Sequence, residues 1–126
     1  MNTTLIGRWG EAEAAAYLEG KGYRILESNY RSRYGEIDLI AAKGNIVAFV
    51  EVKLRNNPAF ATGAESVTER KIAKIVTTAG AWVVAHADEG WQPRFDVIEV
   101  TPTAGYQPGT AGINHIVNAF GAPGRD

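Results

Sequence analysis

Two short runs place acids where they could do chemistry: Glu36-Ile37-Asp38-Leu39-Ile40 and Phe49-Val50-Glu51-Val52-Lys53. Both are rich in β-branched and apolar residues, and Gly44-Asn45 between them is a two-residue hairpin signal. With that turn, Lys43 pairs with Ile46, Asp38 falls opposite Glu51, and Glu36 falls opposite Lys53. Side chains alternate along a strand, so Glu36, Asp38 and Ile40 share one face, with Phe49, Glu51 and Lys53 on the facing positions of the partner strand.

Opposed carboxylates on neighbouring strands repel, at a cost of up to about 1 kcal/mol even when exposed. Burial among apolar residues makes this worse unless a lysine, a shared proton or a divalent cation compensates. Lys53, on the same face as Glu51, supplies the first of these, and oxygen donors of this kind suit a hard ion such as Mg2+. The alternative is a solvated cross-strand Glu–Lys pair of the sort that edge strands carry. These strands are apolar for an edge, and on spacing alone the two readings stand level. A slip of one residue would change which side chains meet.

The elements that must position this hairpin can be read along the chain. Its 126 residues, 45% hydrophobic and 21% charged, suit one globular domain, expected over residues 1–120 with a flexible tail at 121–126. The absence of cysteine excludes disulfides and thiolate zinc sites. No signal-peptide pattern and no apolar run of membrane-spanning length is present, so a cytoplasmic location with no membrane partner is expected. A net charge of -1 means that any nucleic-acid binding must use a local patch.

An alanine-rich helix is expected from about Thr4 to Gly20, capped by Thr3 or Thr4 and ended by Gly20 and Gly22. Ala14, Ala15 and Leu18 follow Glu11 at helical spacing, which puts Glu11 on the apolar stripe. It is either a third acid reaching the hairpin or a partner near the helix N-terminus, where the dipole favours negative charge. Tyr23 to Tyr30 reads as a first strand. In the connection that follows, Arg31 and Arg33, with Arg24, could meet phosphates while Tyr30 and Tyr34 stack, or the segment is a solvated loop.

Arg55 to Gly63 carries turn chemistry and should border the hairpin. A second helix is expected from Ser66 to about His86, with Ser66 and Glu69 at capping-box spacing and Ile72, Ile75, Val76, Ala79, Trp82 and Val83 as the buried stripe. Arg70, Lys71 and Lys74 near its start oppose the helix dipole, a conflict that a phosphate would relieve, or they form a charged outer face with Glu65 and Glu69 as partners. Gly80, costly inside a helix, is explained if the helix packs closely on the sheet there. Arg94 to Thr101 is a further strand, and Thr103 to Gly112 a Gly/Pro-rich loop. Ile113, Ile116, Val117 and Phe120 recur at helical spacing, so a short terminal helix or turn should dock on the core. His86 and His115 lack zinc-site spacing and read as structural or surface residues.

The order helix, three strands, helix, strand, together with G-E-I-D-L-I followed by F-V-E-V-K, resembles the PD-(D/E)XK nuclease superfamily. More closely it resembles the YraN family of small bacterial proteins related to Holliday-junction resolvases. The likeness runs through Gly10-Glu11, Ala14 to Leu18, Gly22-Tyr23, Ile25-Leu26, Asn29, Gly35 to Ile40, Phe49 to Lys53, Arg94 to Val100 and Ile116 to Phe120. It implies an α/β restriction endonuclease-like core, a mixed sheet flanked by helices in the order αβββαβ plus the short C-terminal helix. Asp38 and Glu51 match the motif acids, Lys53 the motif lysine and Glu11 the helix-borne acid of resolvase-like members. Ile37 stands where the superfamily motif has proline.

The implied activity is metal-dependent phosphodiester hydrolysis on structured or branched DNA, with Asp38, Glu51 and the Val52 carbonyl holding Mg2+ or Mn2+. Lys53 would orient or activate the water and offset charge on the phosphate. Arg31, Arg33, Arg55 and Lys71 are the candidate backbone contacts. By analogy, a two-fold dimer would suit a branched substrate. The alternative is a non-catalytic nucleic-acid-binding or adaptor module that keeps the fold.

Overall fold

The computed structural model describes residues 3–55 and 68–121. The expected loop beyond Arg55, the capping residue Ser66 and the tail after Gly121 lie outside the described residues. Within them the order is α1 (Thr3–Gly20), β1 (Arg24–Ser32), β2 (Gly35–Lys43), β3 (Ile46–Leu54), α2 (Glu69–Ala85), a 3-10 turn (Ala87–Glu89), β4 (Gln92–Thr101) and β5 (Gly112–Ile116). The five strands form one mixed sheet in chain order, β1-β2-β3-β4-β5. Only β3 and β4 run parallel, joined through α2, and every other neighbouring pair is antiparallel. Parallel neighbours cannot be joined by a tight turn, so a crossover helix lies where the pairing needs one.

The two helices cover opposite faces, which explains why β2 and β3 are apolar along most of their length. Trp9, Ala14 and Leu18 of α1 pack on Leu39, Ala41, Ala48, Val50, Ile98 and Val100. Ile75, Ala79 and Trp82 of α2 pack on Ile37, Ile40, Val47 and Phe49. Thr78 joins the buried face of α2 although it is polar, because its hydroxyl donates to the Lys74 carbonyl at 2.7 Å. The start of α2 is capped by Thr68, whose side chain accepts from the Lys71 N–H at 3.2 Å. Gly22, at φ +93°, turns the chain out of α1, and the Tyr23 N–H closes back on the Leu18 carbonyl at 3.0 Å.

Three expectations are corrected. The expected terminal helix is the strand β5, antiparallel to β4 from Val97–Ile116 to Thr101–Gly112. Ile113 packs toward the α1 side and Phe120 toward the α2 side, a split that a short strand followed by a turn accommodates as well as a helix does. Asn118 takes a left-handed φ of +57°, and the Ala119 N–H then binds the Phe95 carbonyl at 2.8 Å, which brings Phe120 onto the Phe95 ring. Gly80 does not mark a close approach to the sheet, since a Cβ built there meets nothing within 4 Å. Tyr30, expected to stand free for stacking, is half-buried against the α2-side core.

Both histidines have structural contacts. His86 ends α2 and stacks on Trp82 at 3.8 Å between ring centroids. His115 lies in a buried network in which its Nε2 meets Asp96 Oδ2 at 2.7 Å and its Nδ1 meets the Tyr17 hydroxyl at 3.2 Å. Arg94 donates to both Asp96 oxygens and to the Tyr23 hydroxyl, and the Asn118 N–H adds a further bond to Asp96. Asp96 is fully buried, and burial alone would raise its pKa; the bonds from His115, Arg94 and Asn118 outweigh this and lower it to about 2. Among the described residues no helix is long and apolar enough to cross a membrane.

Candidate functional site

The turn count from Lys43–Ile46 holds along β2 and β3 as far as Leu39–Val50. Asp38 and Glu51 are the next residues on each strand, at the point where the ladder opens into a fork. The expected pairing of Glu36 with Lys53 does not form, because the β2–β3 ladder ends at Leu39–Val50; on the other edge of β2, Glu36 pairs with Arg31 of β1 and meets its guanidinium at 3.1 Å on the surface.

Asp38 uses its side chain where the ladder stops: Oδ2 accepts the Val52 N–H at 2.8 Å. Strict alternation also fails at this point. Leu39 and Ala41 face α1, yet Ile37 packs with Ile40 on the α2 side. The expectation that Glu36, Asp38 and Ile40 keep one regular face is therefore corrected, with the irregularity centred on Asp38. Across on β1, Asn29 lies between the pairs Ser28–Leu39 and Tyr30–Ile37 and takes a left-handed φ of +53°. An isolated left-handed residue inside a strand is uncommon, and asparagine tolerates it better than most.

Glu51 is only 6% exposed. Two lysines answer its charge: Lys53 Nζ stands 3.5 Å from Oε2, and Lys71 of α2 forms a closer ion pair with the same oxygen. Burial, then the charge of Glu51, raise Asp38 to about 7, against the opposing effect of the Val52 N–H; Glu11 and a hydrogen bond between the two carboxyls add to the rise. Burial lowers Lys53, and the charge of Lys71 adds to this against the pull of Glu51. Burial works against the charge of Lys71, but its hydrogen bond to Glu51 and the attraction of that carboxylate raise it.

Glu11 lies within electrostatic reach of Asp38, and its Oε1 accepts the Asn29 side-chain amide at 3.0 Å. Among the described residues no group of three or more His, Cys, Asp or Glu side chains is gathered as a metal cage. What the fork offers is two carboxylates held against each other, hard oxygen donors of the sparse kind with which Mg2+ is bound while waters or phosphate complete its shell. The donor set fits that ion.

Comparison with protein-family profiles matches residues 10–100 to the uncharacterised protein family UPF0102. The chain belongs to that family. A UPF0102 protein of Sulfurihydrogenibium sp. is 44% identical over 120 residues, which cover 95% of this chain and 97% of the relative. Those of Caldanaerobacter subterraneus and Clostridioides difficile are each 42% identical over 120 residues, covering 95% of this chain and 98% and 100% of the relatives. The likeness to these UPF0102 proteins therefore spans the hairpin, both helices and β4.

The candidate backbone contacts separate into different surroundings. Arg31 and Lys71 line one cavity beside the fork. Arg33 lies over the Tyr34 ring and donates to its hydroxyl at 2.8 Å on the surface. Arg55 Nε donates to Glu99 Oε2 at 3.2 Å, and Asn114 donates to the other oxygen of Glu99. The sequence reading missed Asn29 as a site residue, along with the Glu99–Asn114 pair and the Asp96–His115 network. For Asn29 the only local signal was a turn-forming residue inside an otherwise strand-like run.

Proposed function

We propose that this protein is a divalent-metal-dependent nuclease of the PD-(D/E)XK type, cleaving phosphodiester bonds in structured or branched DNA. The observation that carries this reading is the fork: Asp38 and Glu51 meet where the β2–β3 ladder opens, with Lys53 beside them on β3. Two carboxylates held so close favour either a shared proton or a bound cation. Asp38 and Glu51, with the Val52 carbonyl, would hold Mg2+ or Mn2+. When bound, the ion supplies Lewis acidity toward the phosphate and lowers the pKa of a water.

The chain's own residues do the rest. The Val52 N–H fixes the orientation of Asp38 through Oδ2. Lys53, with its pKa lowered, orients the attacking water through Nζ and offsets charge developing on the phosphate. Lys71 balances Glu51 from the other side, and Asn29 keeps Glu11 in place near Asp38. Arg31 and Lys71, joined by Arg33 and Arg55, would make base-independent contacts to the strand backbone.

The deciding experiment pairs calorimetry with cleavage. Mg2+ and Mn2+ should bind the wild type and not Asp38→Asn or Glu51→Gln, measured with and without a non-cleavable branched DNA. On a panel of duplex and junction substrates, Asp38→Asn and Lys53→Ala should lose cleavage while keeping the wild-type circular dichroism spectrum. Cleavage by either variant at the wild-type rate would sink the assignment. DNA binding that is unchanged in chelator, with no metal bound under any condition, would favour the adaptor reading instead.

A further inference from the structure

Beside the fork is a cavity of about 540 Å3, between the β1–β2 turn and the first turns of α2. Its lining includes Arg31, Glu36, Arg70, Lys71 and Lys74. The two walls are fixed against each other at Gly35, where a Cβ would stand 3.0 Å from Thr78 Oγ1 and 3.7 Å from Lys74 Cβ. With φ at +149° and no side chain, Gly35 lets the start of β2 rest directly on α2, so the concavity is built by packing.

Among the described residues the charge in this cavity is unbalanced. Arg31 is matched by Glu36 at 3.1 Å, and Lys71 is matched by Glu51. Arg70 and Lys74 form no ion pair among the described residues. In a chain whose net charge is -1, a concavity with two cations in surplus is a local positive field that selects an anion. Lys71 ties that field to the fork, since one side chain both lines the cavity and contacts Glu51.

We propose that this cavity is a phosphate subsite, occupied by a backbone phosphate adjacent to the one cleaved at Asp38 and Glu51. It rests on the nuclease reading and adds to it the place where the strand is gripped. Guanidinium forks match pairs of phosphate oxygens, and an ammonium adds a point charge that needs no fixed geometry. Arg70 and Lys74 supply the cations that have no ion pair among the described residues, while Arg31 can turn its fork from Glu36 toward the ligand. The grip is on phosphate, so it carries no base preference. An internal diester and a terminal phosphate share this chemistry.

The test is binding of a short single-stranded oligonucleotide in chelator, where cleavage cannot occur, across a salt series. Arg70→Ala combined with Lys74→Ala should weaken binding about tenfold and flatten the log–log salt slope by about 0.7, the value for one lost single-strand phosphate contact. Arg8→Ala combined with Lys21→Ala removes the same charge from exposed positions outside the cavity lining and should change both quantities much less. Equal losses for the two double variants, or no loss for the cavity pair, would overturn the proposal. Repeating the series with a terminal phosphate identifies the source: a gain in wild type that the cavity variant lacks assigns a strand end, and no gain assigns an internal diester. Because no metal is present, failure of Mg2+ to bind in calorimetry would count against the nuclease reading alone.

Discussion

The side-chain amide of Asn29 donates to Glu11 Oε1 at 3.0 Å from a left-handed position inside β1, across from Asp38. One residue therefore joins the helix acid to β1, the strand beside the first fork acid. The kink and the hydrogen bond can be separated by substitution. Asn29→Gly keeps access to the left-handed backbone and loses the amide, whereas Asn29→Ala loses the amide and adds strain of about 1–2 kcal/mol. Both should weaken Mg2+ binding by at least about tenfold if Glu11 needs its amide partner, and only the alanine variant should lose the additional stability. Wild-type metal affinity in Asn29→Gly would remove Asn29 from the positioning role.

The raised pKa of Asp38 sets a pH dependence for stability. Its folded value of about 7 lies above the 3.8 of a free aspartate, so between those limits the folded state holds the proton more tightly than the unfolded chain. The stabilisation is fully present below about pH 4 and is lost as pH rises through about 7. Asp38→Asn can still accept the Val52 N–H and carries no charge to bury. In chelator, its melting temperature should gain on wild type from pH 5 to pH 8. Saturating Mg2+ should narrow the gap at pH 8, since a ligand bound only by the folded wild type stabilises it. A gap that ignores pH would mean that Asp38 is not the group responsible.

Lys71 holds the oxygen of Glu51 for which a divalent ion at the fork would have to compete. Lys71→Met keeps much of the stem and removes the charge. The acid pair then carries more uncompensated negative potential, so Mg2+ should bind severalfold more tightly at pH 8, while the metal-free variant melts at a lower temperature than wild type. Calorimetry and a thermal scan with and without metal read both effects. Weaker metal binding in Lys71→Met would show that the lysine assists the site.

Gly80 is exposed on α2, and a Cβ there meets nothing. Gly80→Ala should stabilise the fold by about 0.5–1 kcal/mol through helix propensity and the lower entropy of the unfolded chain. Denaturant titration at unchanged m-value checks this. A loss of stability would mean that α2 needs the glycine for a contact absent from the present geometry.

Local chemistry made much of this arrangement readable. Gly44-Asn45 closes a tight turn, and counting outward from Lys43–Ile46 gave the correct partners to Leu39–Val50 and placed Asp38 and Glu51 at the fork. Ile75, Ala79 and Trp82 carry the helical period along α2 and are buried as it requires. The misreadings fall where period or locality fails. Five residues of β5 are too few to separate the two periods, and their apolar residues serve opposite faces. The turn of Asp38 toward Val52 goes with a backbone irregularity across from it on β1, which no pattern within β2 records. Asp96 meets His115, and His115 meets Tyr17, only after β4, β5 and α1 have come together, so the network leaves no spacing to find.

The single parallel pairing gives the site an order of assembly. Asp38 and Glu51 are brought together by a hairpin, a contact closed over a short loop, whereas Lys71 rides on the crossover that must wait for β3 and β4 to join. The young hairpin therefore exposes two carboxylates at its open end with only Lys53 to moderate them. Docking of α2 brings in the counter-charge and buries Glu51 in the same event, so the electrostatic completion of the site belongs to the late, non-local phase of folding.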